Sequence, residues 1–238
     1  MFDGVIITAL AIGFVLGLKH ALDPDHVVAV STIVSQSKSL RRSSLVGTFW
    51  GLGHTFSLLV VGLAVIVLKL NLNERVAAWM EFAVAVMLVA LGVKAVATAL
   101  RGWKLHLHKH EHGGRPHVHL HLHKPDEVET HQHFHLLGLG TRPFLVGMVH
   151  GLAGSAALMI LVVATIPSAV VGLIYIAVFG VGSVGGMLLM SSIVSLPFLL
   201  TARRLGVVSR VLQVSVGVFS VGFGIYLLSQ YGELFGVQ

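Results

Sequence analysis

The chain has 238 residues, of which 55% are hydrophobic and 11% are charged, well below the roughly 25% charged residues of an ordinary soluble domain. The apolar residues gather into long stretches with almost no charge, which excludes a soluble domain and predicts a membrane protein. The net charge of +6 does not indicate nucleic-acid binding, because most basic residues lie in short connections, and the absence of cysteine excludes disulfides and thiolate metal ligands.

Six apolar stretches are long enough to cross a bilayer, which takes about 20 residues of helix. They cover residues 4–34, 44–68, 76–100, 142–166, 169–196 and 208–230. The first stretch follows Asp3 and has no small-residue cleavage site, so we predict a retained span and not a removed signal peptide. The predicted fold is therefore all-α, a polytopic membrane protein with six transmembrane helices.

The first stretch is too long for one straight span. As a single helix, residues 4–34 would extend about 46 Å, whereas the hydrocarbon core of a bilayer is about 30 Å thick. Pro24 has no N–H to donate, and its ring crowds the carbonyl of His20, four residues earlier. We therefore predict a helix that is broken at this point, with the His20 carbonyl freed as an additional ligand.

The same stretch collects ionisable residues, namely His20, Asp23, Asp25 and His26 beside Lys19. Such residues are costly in a bilayer, so they normally face a cavity, a partner or a bound ion. Imidazole nitrogen and carboxylate oxygen suit Ni²⁺, Co²⁺ or Zn²⁺. The alternative interpretation is a network of ion pairs and hydrogen bonds that only joins helices.

Two further histidines lie in later apolar stretches. His54 follows Gly51 and Gly53 in the second stretch, and His150 lies in the fourth. We interpret both as ligands or pathway residues, with hydrogen-bonded packing histidines as the alternative. The six candidate metal ligands are His20, Asp23, Asp25, His26, His54 and His150.

The connection between the third and fourth stretches is rich in histidine. It holds His106, His108, His110, His112, His117, His119, His121, His123, His131, His133 and His135. Alternate side chains of an extended chain point the same way, so neighbouring imidazoles can share an ion. We expect a segment that is disordered without metal and acts as a metal buffer, sensor or delivery arm; the alternative is a tolerated low-complexity loop.

The two halves of the chain resemble each other. Gly17 and His20 match Gly147 and His150 at an offset of 130 residues, and residues 51–54 align with residues 180–183 at an offset of 129. An odd number of spans inverts the second copy, which is the plan of many secondary transporters. The predicted parts are a first three-helix repeat at 1–100, a His-rich loop at 101–141 and a second three-helix repeat at 142–238.

Basic residues predict the orientation. The connections after the first, third and fifth stretches contain twelve Lys and Arg, whereas the other side contains only Lys69 and Arg75. By the positive-inside rule, both termini lie outside and the His-rich loop is cytoplasmic. The predicted location is the cell (inner) membrane, as a multi-pass protein.

Two motifs resemble a known family. Residues 19–27 (KHALDPDHV) are similar to the signature of the nickel/cobalt transporter (NiCoT) family, and residues 53–55 (GHT) to its Gly-His-Ser/Thr motif. This resemblance implies metal recognition by His20, Asp25 and His26, with nickel or cobalt as cargo and zinc less favoured.

The second half departs from the classic members of that family. Where the importers carry an acidic Asp-Thr-Ala-Thr-Glu segment, this chain has the uncharged residues 150–155 (HGLAGS), and Ser191 and Val194 replace two other acidic residues. Classic members also have eight spans. The chain is therefore similar to a shorter branch that includes urease-associated permeases and nickel/cobalt exporters.

These features predict a carrier and not an enzyme, since both a His-Glu-x-x-His motif and a phosphate-binding loop ending in Gly-Lys-Ser/Thr are missing from the sequence. The ion is expected to bind near mid-membrane while the repeats rock around it, without a resident cofactor. The expected direction is uptake; efflux and a membrane metal sensor or accessory protein are the alternatives. The expected partners are a divalent metal ion, the lipid bilayer and a cytosolic metallochaperone, with no nucleic acid.

Overall fold

The computed structural model describes residues 2–37, 39–68, 74–101, 105–112, 115–122, 136–152, 168–204 and 206–232. The helices of the first half are α1 (Phe2–His20), α2 (Pro24–Val34), α3 (Leu40–Leu68) and α4 (Glu74–Arg101). Two strands follow, β1 (Leu105–His112) and β2 (Arg115–Leu122). The second half contains α5 (Leu136–His150), α6 (Ala169–Arg204) and α7 (Gly206–Gly232).

The long apolar helices agree with a multi-pass membrane protein. Each of α3, α4, α6 and α7 is long and apolar enough to cross a bilayer, and α1 with α2 forms a bent pair that passes the same test together. Helix α5 covers the start of the predicted span at 142–166, and the rest of that span lies outside the described residues. The polytopic architecture is thus confirmed, while the number six remains a prediction.

The predicted break in the first stretch is confirmed, with α1 and α2 meeting at an angle of 52°. Pro24 is the first residue of α2, where a missing N–H leaves no intrahelical bond unmade. The prediction of a free His20 carbonyl is wrong, because that oxygen accepts the backbone N–H of Asp23 at 3.1 Å. The chain leaves α1 through a tight turn, in which the His20 carbonyl bonds to the residue three positions later and not to the residue four positions later.

The His-rich loop contains order that we did not expect. Strands β1 and β2 form an antiparallel pair, so the prediction of disorder is wrong for these two segments, while the other described elements are α-helices as predicted. The physical reason is that an alternating sequence around a Gly-Gly pair, residues 113–114, is also a hairpin signal. His123, His131, His133 and His135 lie outside the described residues.

Helices α1 and α6 cross at very close range. A Cβ on Gly17 would collide with the backbone carbonyl of Phe179, and one on Gly182 would collide with the carbonyl of Phe14. Small residues let backbones approach in this way, and dispersion then holds helices together in lipid, where the hydrophobic effect gives little.

Helices α3 and α5 cross in the same manner. A Cβ on Gly147 would collide with the carbonyl of Trp50, and one on Gly53 with the carbonyl of Phe144. These two crossings place the short helices α1 and α5 on either side of the central pair α3 and α6, which also pack against each other.

Helix α2 fills the interior of the bundle. It packs against α3, α4, α6 and α7, and it contributes Val28, Val30 and Val34 to the main buried apolar cluster. Large apolar residues lie exposed on the outer helix faces, for example Ile7 (66%), Val67 (65%) and Leu200 (71%). An exposed apolar surface of this extent is the surface that a membrane protein presents to lipid.

Candidate metal centre

His20 and His54 form the first close pair of candidate ligands. His20 ends α1, His54 lies in the middle of α3, and both side chains are buried. Their Nε2 atoms are 3.2 Å apart, and Nδ1 of His20 lies 2.6 Å from Oδ2 of Asp23. A carboxylate can only accept a hydrogen bond, so this contact keeps the His20 proton on Nδ1 and leaves the lone pair on Nε2, which faces His54.

Asp23 lies at the edge of this pair. It belongs to the break between α1 and α2, and its side chain is 47% exposed. A carboxylate on the outer nitrogen of a metal-binding histidine fixes the tautomer and the direction of the ring. The structure therefore places Asp23 where it orients His20, and not among the ring nitrogens that face one another.

Asp25 joins two histidines from different halves of the chain. It lies in the first turn of α2, where Oδ1 accepts the backbone N–H of His26 at 2.9 Å and lies 3.1 Å from Nδ1 of the same residue. Its Oδ2 lies 2.8 Å from Nε2 of His150, the last residue of α5. One carboxylate thus connects residues that are 125 positions apart in sequence.

Together these side chains form two groups with metal-ligand spacing. The first contains His20, His26 and His54, and the second contains Asp25, His26 and His150; in each group the candidate ligand atoms lie within 4.8 Å of one another. Two ligands of one ion, each about 2 Å from the metal, are separated by up to about 4 Å, so small adjustments suffice. We call these five residues, His20, Asp25, His26, His54 and His150, the His-Asp cluster.

Two aromatic residues enclose the cluster. The Trp50 ring lies parallel to His26 with centroids 5.9 Å apart and is 5.4 Å from His150, while Phe179 lies 5.6 Å from His20. These apolar walls lower the local dielectric constant at the cluster, which strengthens the attraction between Asp25 and a dication. Sequence analysis missed both residues. Their positions could have identified them, because Trp50 lies one turn before His54 and Phe179 occupies the equivalent position in the second half.

Several polar atoms of this region have no hydrogen-bond partner among the described residues. They are Nε2 of His26, Nδ1 of His54, Nδ1 of His150, Nε1 of Trp50 and Oγ of Ser183. Buried polar atoms are normally paired, so unpaired ones call for an explanation. A cation bound at the cluster would explain the unpaired imidazole nitrogens.

Comparisons with known proteins agree with this chemistry. The chain is similar to the urease accessory protein UreH of Bacillus sp. (strain TB-90), with 40% identity over 232 residues that cover 98% of this chain and 95% of the relative. It is also similar to the chloroplast proteins FOR GROWTH AND FERTILITY 2 and 1 of Arabidopsis thaliana, with 26% and 29% identity over 76% of this chain. The match spans only 45% and 48% of those two plant proteins.

No solved structure matches the chain. The NicO family, described as "High-affinity nickel-transport protein", matches residues 6–225, which is nearly the whole sequence and includes every residue of the His-Asp cluster. The resemblance seen in residues 19–27 and 53–55 is thereby confirmed: this chain belongs to the NicO family of nickel-transport proteins.

Proposed function

We propose that this chain carries Ni²⁺ into the cell, with the His-Asp cluster as the point at which the ion is held within the membrane. One observation carries the proposal: four buried imidazoles and a part-buried carboxylate from both halves of the chain meet between apolar helices. Burying these groups in lipid is costly unless they hold a cation or each other. Several of their nitrogens lack partners among the residues that the structure describes, which favours the cation.

The proposed metal and the proposed direction of transport are supported by the chemistry of the ligands and by the family to which the chain belongs. Imidazole and carboxylate suit Ni²⁺ and Co²⁺ alike, so cobalt is the second cargo, and Zn²⁺ is less favoured. The family is described by high affinity, which an importer needs because it must capture a scarce ion. A relative named as a urease accessory protein also fits supply of metal to the cell interior.

We further infer that the transmembrane part consists of two inverted repeats, residues 1–100 and 142–238. The contacts support this inference, because Gly17 meets the Phe179 carbonyl as Gly147 meets the Trp50 carbonyl. The aromatic walls correspond as well, with His20 5.6 Å from Phe179 and His150 5.4 Å from Trp50. Rocking of two such repeats would expose the cluster to each side of the membrane in turn.

The loop at 101–141 is proposed as a cytoplasmic metal buffer that receives the ion and passes it to a metallochaperone. The register of the hairpin supports metal binding, because histidines stand opposite histidines at three alternate positions, His106 with His121, His108 with His119 and His110 with His117. Opposite residues of an antiparallel pair lie on the same face, so this register suits histidines that share an ion.

The test is transport by the purified chain in liposomes that contain a Ni²⁺-sensitive dye. We expect Ni²⁺ to enter, and we expect His26→Ala to slow entry at least roughly tenfold, because even the outer partners of metal ligands are worth 10–100-fold. His131→Ala, which removes a loop histidine, is the matched control and should leave the rate unchanged. Absence of Ni²⁺ movement in the purified wild type would reject a carrier in favour of an accessory protein.

The direction of transport has to be measured in living cells. Cells that express the chain should accumulate radioactive nickel relative to cells that express the His26→Ala variant at equal membrane abundance. Depletion of preloaded nickel would instead make the protein an exporter.

A further inference from the structure

The His-Asp cluster has an internal division that a single binding site would not need. We propose that it consists of two adjoining metal stations that share His26. The nitrogen station contains His20, His26 and His54, and the mixed station contains Asp25, His26 and His150. The cargo ion passes from one station to the other. This proposal rests on the proposed function only in taking a divalent metal ion as the ligand.

The geometry separates the stations at their ends and joins them at His26. The rings of His54 and His150 are 6.3 Å apart, whereas His26 lies 4.3 Å from the ring of His20 and 3.9 Å from that of His150, measured between centroids. Within each station the candidate ligand atoms lie within 4.8 Å of one another. Among the described residues this mutual spacing occurs only in these two groups of three, so in this arrangement one ion takes three of the side chains at a time.

The two ring nitrogens of His26 have different surroundings. Its Nδ1 lies 3.1 Å from Oδ1 of Asp25 in the mixed station, while its Nε2 is buried and has no hydrogen-bond partner among the residues described. A neutral imidazole has a lone pair on only one of its two nitrogens. His26 therefore serves one station at a time, and the cluster holds one ion per chain.

The two stations differ in charge. The nitrogen station offers three imidazoles, with the Asp23 carboxylate 2.6 Å from the outer Nδ1 of His20. The mixed station places the Asp25 carboxylate directly on the ion. Because raw affinity depends on ligand type, the stations bind the same ion unequally, and a carrier needs sites that both accept and release it.

The short spacing also explains how an ion crosses the buried centre. A charge in the membrane interior is costly wherever ligands do not surround it. Ring centroids about 4 Å apart allow the ion to gain the ligands of the second station while it leaves those of the first. Three protein ligands at each station leave coordination positions open for water or for the incoming ligand.

The experiment uses Co²⁺ alone as the probe, because its visible and X-ray absorption report the ligands directly. The reference is the full-length chain in lipid nanodiscs with all eleven loop histidines changed to serine, so that only the four histidines of the helices remain. We expect one Co²⁺ per reference chain. The near-isosteric variants His54→Gln and His150→Gln each remove a ligand from one station and are expected to keep one Co²⁺, with less than tenfold loss of affinity.

The spectra distinguish the stations. His150→Gln should leave Co²⁺ with nitrogen ligands from the protein, and His54→Gln should shift it to a nitrogen and oxygen set that includes Asp25. His26→Ala, which removes the shared residue, should abolish binding. Equal loss of binding in all three variants, or identical spectra in His54→Gln and His150→Gln, would show one undivided site and overturn the proposal.

A transport assay keeps this proposal separate from the proposed function. Both Gln variants should bind Co²⁺ yet transport Ni²⁺ at least tenfold more slowly, because the ion has no second station to enter. If the binding data show two stations but the wild type moves no Ni²⁺, the two-station proposal stands and the carrier function is rejected. If the wild type moves Ni²⁺ but the binding data show one undivided site, the carrier function stands and the two-station proposal is rejected. Unchanged transport in both Gln variants would overturn the transfer between stations.

Discussion

Asp23 and Asp25 differ by only two positions, yet they act on different parts of the cluster. Asp23 holds the outer nitrogen of His20 from a half-exposed position. Asp25 lies between His26 and His150 and accepts the backbone N–H of His26 as well. The first carboxylate orients a ligand, and the second can be a ligand itself.

This difference predicts unequal effects of the same substitution. Asp23→Asn should weaken Ni²⁺ binding by less than roughly tenfold, because an amide oxygen can still accept the His20 Nδ1–H and the mixed station keeps its three ligands. Asp25→Asn should weaken it further, since it removes a negative charge from beside the ion. Competition with a colorimetric chelator measures both affinities, and equal losses would contradict the assignment of roles.

At the scale of elements, the ends of α1 and α5 and the turn after α1 decide which candidate ligands meet. Helix α1 ends at His20 and α5 ends at His150, so each short helix delivers a histidine at its C-terminal end to the centre of the bundle. The turn after α1 then redirects the chain by 52°, and α2 brings Asp25 and His26 to the same place. Close glycine contacts hold these helices at the required distance.

The glycine contact between α1 and α6 can be tested with a matched pair of substitutions. Gly17→Ala places a methyl group against the backbone of Phe179 and Ser183, whereas a Cβ on Gly222 meets no atom within 4 Å. We expect Gly17→Ala to destabilise the bundle by about 1–3 kcal/mol, as overpacking does. Gly222→Ala should be neutral or stabilising by up to about 1 kcal/mol, because alanine favours helix.

Thermal or denaturant unfolding in detergent measures both changes. Because Gly147 has the equivalent contact with the Trp50 carbonyl, Gly147→Ala should behave like Gly17→Ala. Similar stability of the Gly17→Ala and Gly222→Ala variants would contradict the close approach of α1 to α6.

The hairpin predicts that the order of its residues matters, and not only their number. Exchanging neighbours in β1 moves three histidines to the other face without changing composition. The exchanges are His106→Leu with Leu107→His, His108→Lys with Lys109→His, and His110→Glu with Glu111→His. We expect Ni²⁺ bound by the loop to weaken at least roughly tenfold, because paired imidazoles no longer act together on one ion.

Equilibrium dialysis of the full-length chain in nanodiscs measures this change. The matched control carries the single exchange His112→Arg with Arg115→His, which keeps composition and the three facing pairs. Unchanged affinity in the exchanged chain would show that the loop acts through histidine content alone.

On the scale of the whole molecule, the apolar helices agree with a multi-pass membrane protein, and the distribution of charge predicts its orientation. The predicted connections contain twelve basic residues on one side and two on the other, which predicts a cytoplasmic loop and external termini. In this predicted orientation, metal released on the inner side would meet the His-rich loop.

The orientation can be tested directly, because the chain contains no native cysteine. Gln36→Cys lies in the connection between α2 and α3, and Ser168→Cys lies just before α6; both positions are exposed. In intact cells a membrane-impermeant maleimide should label Ser168→Cys and should label Gln36→Cys only after permeabilisation. The opposite pattern would invert the topology.

Much of this protein could be predicted because it depends on local sequence. Four of the apolar stretches that could span a bilayer, the break before Pro24 and the family motifs in residues 19–27 and 53–55 are properties of neighbouring residues, and the structure or the family match confirms them. The hairpin shows the limit of such reasoning, since an alternating histidine sequence fits both a disordered tract and a pair of strands. The pairing of those strands decided between them.

Only the tertiary structure decided how the candidate ligands are divided. Sequence analysis named His20, Asp23, Asp25, His26, His54 and His150 together, because ionisable residues within apolar stretches are identified by their type alone. Which of them meet depends on the angle between α1 and α2 and on the approach of α5, which brings His150 within 2.8 Å of Asp25 across 125 residues. Hydrophobicity is a property of each residue and can be read along the chain, whereas a metal site is a set of distances that exists only once the helices have packed.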